Sequence, residues 1–401
     1  MYVKTQGYGG VIIKTVMNCL KRFEYHQFML LITILALFLP FYICFIIWLL
    51  QCLYLLYTKE MIQAYQHRTG SKYVLLFSLI SMLVSLFYRN YIGAGCTIIV
   101  LCVLSIVIYY MEHITLSLFE WLVDIILVMS IFSAVYGLFE YAGILHSIGV
   151  NQFEVLVLDG PYERLNSVFF NANYYATMIE FFVILSVYKL LRCKKNIKVF
   201  FYLGVILINF FLLYLSGCRT AWPAIGFGIL VLLLFDQRYG AFKLMMAIGC
   251  VCLIVFLIYP EVFPRTDNIL EYFGVRQGIW EVAIKCIKDH LFFGEGPLTY
   301  MHIFEQYGGV YTQHAHSIYL DPILSYGLVG VVSIFPYVYA SLKSLIKMYL
   351  QKTDLSLSAL MIGTLAIVLV HGIMDYTVYF VQTGFLFLMI MSSYAVYEHR
   401  K

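Results

Sequence analysis

The chain has 401 residues, of which 62% are hydrophobic and only 12% charged, with a formal net charge of +4. Soluble globular proteins average about 25% charged residues, so this composition excludes an ordinary soluble enzyme. The basic residues sit in short clusters and form no stripe that would bind nucleic acid, so no nucleic-acid partner is expected.

Apolar runs long enough to cross a bilayer, roughly 17–25 residues each, recur from end to end. They predict an all-α polytopic membrane protein with a single integral membrane domain over residues 1–401, in contact with membrane lipids. No cleavable signal peptide is evident. The basic, mildly amphipathic first 25 residues are expected to lie on the membrane surface. The ten cysteines are mostly scattered through apolar runs without a CxxC pair, which reads as buried small hydrophobes rather than a disulfide framework.

The run 27–57 is too long for one span and contains Pro40, which predicts two short helices joined at that proline. Further spans are predicted near 73–88, 91–110 and 114–140, then after a polar break near 172–191, 198–216, 220–235 and 241–259. A polar stretch covers about 260–320, and three last spans fall near 322–340, 356–374 and 378–397. The expected total is about twelve transmembrane helices.

Lysine and arginine in short loops mark the cytoplasmic side of a membrane protein. "RCKKNIK" (192–198), "DQRYG" (236–240), "KSLIKMYLQK" (343–352), the terminal "EHRK" and the N-terminal "KRF" alternate so as to share one side. Both termini are then cytoplasmic. The loops at 141–171, 217–219, 260–320 and 371–377 face outward.

The longest outward loop, 260–320, contains "VRQGIWEVAIKCIKDHLFFGEGP". This reads as an amphipathic helix with Ile279, Ala283 and Ile287 on one face and Trp280 and Ile284 beside them, ended by Gly294 and Pro297. It is too polar to span and is expected to lie along the interface or cap a cavity. Seven acidic and four basic residues give the loop a net charge of about −3. Any anion bound here must be held by particular arginines in a defined geometry.

Five motifs gather on that outer face: "RLNSVFFNANYYA" (164–176), "SGCRTAW" (216–222), "VRQGIW" (275–280), "FFGEGP" (292–297) and "HAHSIYLDPILSYGLVG" (314–330). In this order the chain resembles the O-antigen ligase and O-antigen polymerase superfamily of bacterial surface glycans, the WaaL and Wzy type, over about residues 160–335. The resemblance implies a bundle similar to the GT-C glycosyltransferases in the bacterial cytoplasmic (inner) membrane, with its active site on the outer face. It implies transfer of a glycan from an undecaprenyl diphosphate carrier to an acceptor hydroxyl on a lipid A core or on another lipid-linked glycan. Such an enzyme would build lipopolysaccharide, capsule or a related polysaccharide, and would need no metal or other cofactor. Two positions depart from the family pattern: Asn171-Ala172-Asn173 lacks the central proline, and Ser317 stands where asparagine is frequent.

That chemistry can be matched to residues. A departing diphosphate gathers negative charge, which a fixed guanidinium suits; Arg219 and Arg276 are the candidates. The alternatives are an interfacial anchor for Arg219 and a surface ion pair with Glu271 or Glu281 for Arg276. The acceptor hydroxyl needs a base, and histidine titrates in the useful range. The resemblance points to His316 as catalytic and His314 as accessory. Both act together only if the helix starts beyond them, near 321 rather than near 316.

Arg164, Asn173 and Tyr319 are candidates for substrate binding, with helix capping by Asn171 or Asn173 as the alternative for the amides. His371 and Asp375 either orient the acceptor or pair with each other at i, i+4. A zinc site on His314 and His316 would need a third ligand such as His302, Glu295 or Asp321, at no convincing spacing, so no metal is expected. The competing class, a transporter or flippase of lipid-linked glycans, would place its charges near mid-span. Here only Asp124 and Glu180 lie near mid-span.

Overall fold

The computed structural model describes residues 24–143, 164–169, 171–262 and 269–400. Among these, all regular structure is helical. The expectation for the first 25 residues falls almost wholly outside the described residues, as does most of the 141–171 loop.

Helices α1 (Tyr25–Ala36) and α2 (Phe41–Tyr57) meet at Pro40, which stands immediately before α2 where its missing N–H costs nothing. A short α3 (Glu60–His67), absent from the sequence reading, bends away from α2 by 84°. It is polar, so apolar periodicity gave no sign of it. Next come α4 (Ser71–Phe87), α5 (Tyr91–His113) and α6 (Leu116–Tyr141). Then follow α7 (Ala172–Arg192), α8 (Asn196–Ser216), α9 (Ala221–Phe235) and α10 (Tyr239–Ile258). The polar stretch forms α11 (Ile269–Asp289) and the single turn α12 (Thr299–Ile303). The chain ends in α13 (Asp321–Leu350), α14 (Leu355–His371), α15 (Val381–Met391) and a 3₁₀ segment, Ser393–Arg400.

Six of these helices (α5, α6, α7, α8, α10 and α13) are each long and apolar enough to cross a membrane alone. The shorter apolar helices α1, α4, α9 and α14 coincide with further predicted spans.

The core is organised around α7, whose sequence carries aromatic and aliphatic side chains on every face and is buried on nearly all of them. Helices α9 and α14 cross closely at Gly228 and Gly363. A Cβ on Gly228 would overlap the Ile367 side chain, and one on Gly363 would come within 2.8 Å of the Gly228 carbonyl. Small residues permit such backbone approach inside a bilayer. In contrast, α10 has no fully buried side chain and packs on the core only through the partly buried Phe242 and Met245.

Two features place the outer segments. Gly217 ends α8 in the left-handed conformation (φ 61°), which turns "SGCRT" back over the bundle end. Gly327 breaks α13 with φ 59° and ψ −178°. The freed backbone is satisfied by the loop after α11: Leu328 N–H donates to the Leu291 carbonyl and Val329 N–H to that of Phe292, both at 2.9 Å, while Gly296 N–H donates to the Ser325 carbonyl at 2.8 Å. The side chain of Asn90 holds the same loop by donating to the Glu295 and Pro297 carbonyls. Glu295 thus contributes through its backbone, though its carboxylate also lies 3.3 Å from His290. The loop helix α11 is fastened to α13 by these contacts. Its buried face is Ile279, Val282, Ala283 and Cys286. Ile284, expected beside that face, is 41% exposed.

Candidate active site

The segment 312–321 enters α13 without being helical, and α13 begins at Asp321. The reason is local. Asp321 is buried and its carboxylate accepts from the Ala315 N–H at 2.6 Å and from the Ser325 hydroxyl at 3.1 Å, closing the segment into a loop. Ser317 does not cap α13. Its hydroxyl accepts from the Tyr319 N–H at 3.3 Å within the preceding turn. His316 adopts φ 49°, the left-handed region that is strained for a residue with a β-carbon. The turn brings the two histidine rings to 4.4 Å, with planes 64° apart.

Both rings face Asp375, in the loop between α14 and α15. His316 Nδ1 lies 2.8 Å from Asp375 Oδ1 and donates to it. The ring's other nitrogen, Nε2, then accepts from the Thr312 hydroxyl at 2.9 Å. A carboxylate, an imidazole and a hydroxyl are therefore in line, the arrangement that turns an imidazole into a base toward the hydroxyl. His314 is held differently. Its Nδ1 accepts from the His316 N–H at 3.1 Å, which fixes the ring proton on Nε2, facing Tyr174 (3.3 Å) and Asp375 (3.8 Å).

Asp375 is 3% exposed and collects contacts from four segments. Beside the histidines, Oδ1 accepts from its neighbour's N–H, that of Tyr376, at 2.8 Å. Oδ2 accepts from Asn173 Nδ2 at 2.7 Å and lies 3.9 Å from the Arg276 guanidinium. Burial alone would push its carboxyl up. The imidazole of His314, the guanidinium of Arg276, the ring of His371 and the Tyr376 N–H outweigh that and hold it below the usual carboxylate range.

Arg164 extends the network. It donates to Asn173 Oδ1 at 2.6 Å and to the Ser216 carbonyl at 2.8 Å, so it ties α7 to the end of α8. The two asparagines divide the work that the sequence left open. Asn171 caps α7 by accepting from the N–H groups of Asn173 and Tyr174, and Asn173 serves the Asp375 cluster.

Arg219 lies two residues beyond Gly217 with its guanidinium 4.7 Å above the ring of Tyr272, one turn before Arg276 on α11. Of the predicted residues, then, His314, His316, Arg276, Asn173 and Arg164 join one connected network, and Arg219 adjoins it through α11. Tyr319 sits at its edge. Its ring is half exposed and its hydroxyl donates to the Leu369 carbonyl.

Asp375, the residue that connects the others, entered the sequence reading only as one that either orients the acceptor or pairs with His371. The available signal was an acidic residue in an outward loop of a chain poor in acids. His371 does not pair with Asp375 at i, i+4 but with Glu180 on α7, at 2.7 Å. His314, His316 and Asp375 also offer three ligand atoms within 4.8 Å of one another, so the third metal ligand the sequence lacked is present in space.

Residues 204–335 match the family model described as O-antigen ligase. Over that stretch the chain is similar to the O-antigen ligase and polymerase superfamily. No curated protein matches the chain. The matched stretch runs from within α8 to the first half of α13 and contains Arg219, Arg276, His314 and His316. Arg164, Asn173 and Asp375 come from outside the matched span and complete the network around them.

Proposed function

We propose that this protein is a metal-independent membrane glycosyltransferase. It takes a glycan from an undecaprenyl diphosphate carrier at the outer leaflet and passes it to an acceptor hydroxyl, with a bundle similar to the GT-C enzymes. The observation that carries this reading is the line from Asp375 through His316 to the Thr312 hydroxyl, flanked by Arg276.

In the proposed step the acceptor hydroxyl takes the place that the Thr312 hydroxyl holds. His316 Nε2 receives its proton as the oxygen bonds to the anomeric carbon. The bond from that carbon to the diphosphate breaks, and its electron pair leaves with the diphosphate. Arg276 and Arg219 stabilise the leaving group. Asp375 keeps the His316 proton on Nδ1 and stabilises the imidazolium that forms. His314 is accessory, and Arg164, Asn173 and Tyr319 line the approach of the sugars. The site opens to the outer face of the bacterial inner membrane, with both termini in the cytoplasm. The acceptor is either a lipid A core or a second lipid-linked glycan.

The test is glycosyl transfer by purified protein in EDTA with undecaprenyl-diphosphate-linked repeat units, beside His316→Ala and Arg219→Ala. A ladder of longer lipid-linked glycans from the wild type alone supports a polymerase. Transfer only after lipid A core is added supports a ligase. Translocation of the lipid-linked glycan in vesicles, with no transfer, would replace the enzyme by a flippase. A second reading is favoured by the His314, His316 and Asp375 ligand set: a catalytic cation held there. It predicts that EDTA abolishes transfer and that zinc or another divalent ion restores it.

A further inference from the structure

Glu180 and His371 form a second carboxylate–histidine pair that the proposed reaction does not use. Glu180 lies on α7 seven residues beyond Asn173, which at about 1.5 Å per residue places it roughly 10 Å deeper in the bundle. Both residues are buried, with Glu180 at 0% and His371 at 1% exposure. Glu180 Oε1 is 2.7 Å from His371 Nδ1, and its other carboxylate oxygen has no hydrogen-bond partner. Such a half-satisfied polar pair inside a membrane bundle adds little stability compared with apolar packing. Its contribution has to be sought in what it fixes.

His371 and the adjoining Gly372 contact three segments of the site. Its Nε2 lies 3.2 Å from the Thr220 hydroxyl and 4.0 Å from the Cys218 sulfur, the two residues that bracket Arg219. Its carbonyl accepts from the Met374 and Asp375 N–H groups at 3.1 and 3.2 Å. The next carbonyl, that of Gly372, accepts from the Ile318 N–H at 2.9 Å, two residues beyond His316. Gly372 has no β-carbon because the Ile318 side chain occupies that space. His371 and Gly372 together thus space the arginine turn, the aspartate loop and the histidine loop, and Glu180 anchors His371 to the central helix.

We propose that Glu180 and His371 are positioning residues that set the Arg219 turn against the Asp375–His316 pair. The proposal rests on the glycosyl-transfer reading of that site, but its structural half can be tested apart from it. Displacing a reacting group by about 1 Å can cost 10²-fold in rate. His371→Leu and Glu180→Leu should therefore lower kcat by at least about ten-fold while KM stays within about three-fold. Glu180→Gln keeps an acceptor for the Nδ1 proton and should rescue most of the loss.

The independent readout is the rate at which N-ethylmaleimide alkylates Cys218 in membranes, followed on its own peptide by mass spectrometry. Cys218 is 4% exposed in the wild type. Its alkylation should accelerate several-fold in both leucine variants and in Thr220→Val, which removes only the far end of the link and leaves the core intact. If Thr220→Val and Glu180→Leu, both monodisperse in detergent, keep wild-type kcat and wild-type Cys218 protection, the proposal is overturned. A loss of kcat with Cys218 still protected also overturns it. If the wild type transfers no glycan at all, the glycosyltransferase reading fails, while the alkylation rates still decide whether the pair holds the turn.

Discussion

Replacing Asp375 with asparagine is the sharpest test of the network, because the two side chains have the same shape. The carboxylate accepts from Asn173 on one oxygen and from His316 and the Tyr376 N–H on the other, all within 2.8 Å. An asparagine must turn its NH2 toward one of these sets of donors. Facing Asn173, it meets an amide whose own oxygen is already held by Arg164. Facing His316, it forces the ring proton from Nδ1 to Nε2, and the ring can no longer accept a proton from a hydroxyl.

Either way a charge-assisted hydrogen bond worth about 1.5–3 kcal/mol is lost. In the second case general-base assistance, typically 10²–10⁴-fold, goes with it. Asp375→Asn should lower kcat by about 10²–10⁴, or roughly 3–5 kcal/mol of barrier at about 1.4 kcal/mol per decade. KM should change little. The measurement is the initial rate of lipid-linked glycan transfer across a range of donor concentrations, with size-exclusion chromatography as the folding control. A folded variant that keeps more than a tenth of wild-type kcat would refute the assignment of His316 as an Asp375-oriented base.

Three further expectations follow from the same structure. Thr312→Val removes only the hydroxyl that holds the place assigned to the acceptor, so kcat/KM should stay within about three-fold of wild type; a loss comparable with His316→Ala would make Thr312 a participant. Gly228→Val forces a branched side chain into the α9–α14 crossing and should destabilise by about 1–3 kcal/mol, seen as a lower Tm in detergent, whereas the same change at Gly226, whose Cβ would meet no atom within 4 Å, should not. The Asp375 carboxyl is held below its unfolded value, so its charge stabilises the folded site above the ordinary carboxylate range, and that contribution is lost as pH falls through the lower folded value. Wild-type Tm should therefore fall with pH in that acid window, and Asp375→Asn should show a flatter acid limb; identical limbs would contradict the shift.

Much of the helical frame was legible because apolar length and proline or glycine breaks are properties of the local chain. Pro40, Gly217 and the polar stretch after α10 marked real boundaries. The polar α3 lacked an apolar signature, and the start of α13 depended on Asp321 closing a loop onto Ala315, which no local rule predicts. The site was legible as a set of residue types in an order, and the histidines and arginines were found that way. Their geometry was not, because each bond joins distant segments. Asp375 reaches back 202 residues to Asn173 and 59 to His316. The i, i+4 spacing offered pairing of His371 with Asp375 on a helix face as one reading. Instead α14 ends at His371, which frees Asp375 to turn toward His316 while His371 turns inward to Glu180.

The charge of the site runs against the charge of the loop that covers it. Residues 260–320 carry seven acids and four bases, yet the proposed site sets Arg276 beside the Asp375 carboxylate, with Arg164 bound to Asn173 and Arg219 adjoining through α11. The net negative charge of the loop as a whole would repel a diphosphate. Recognition must then come from short-range contacts with partly buried guanidinium groups, where salt screens weakly. Arg276 has a side chain only 22% exposed. Raising ionic strength from about 0.05 to 0.5 M, which shortens the screening length from about 14 to about 4 Å, should therefore change donor KM by no more than a few-fold. Arg276→Gln should raise the barrier in kcat/KM at every salt concentration. A donor KM that climbs steeply with salt in the wild type, and no longer does so when surface lysines such as Lys285 and Lys288 are neutralised, would place diphosphate recognition on the loop surface and not at Arg276.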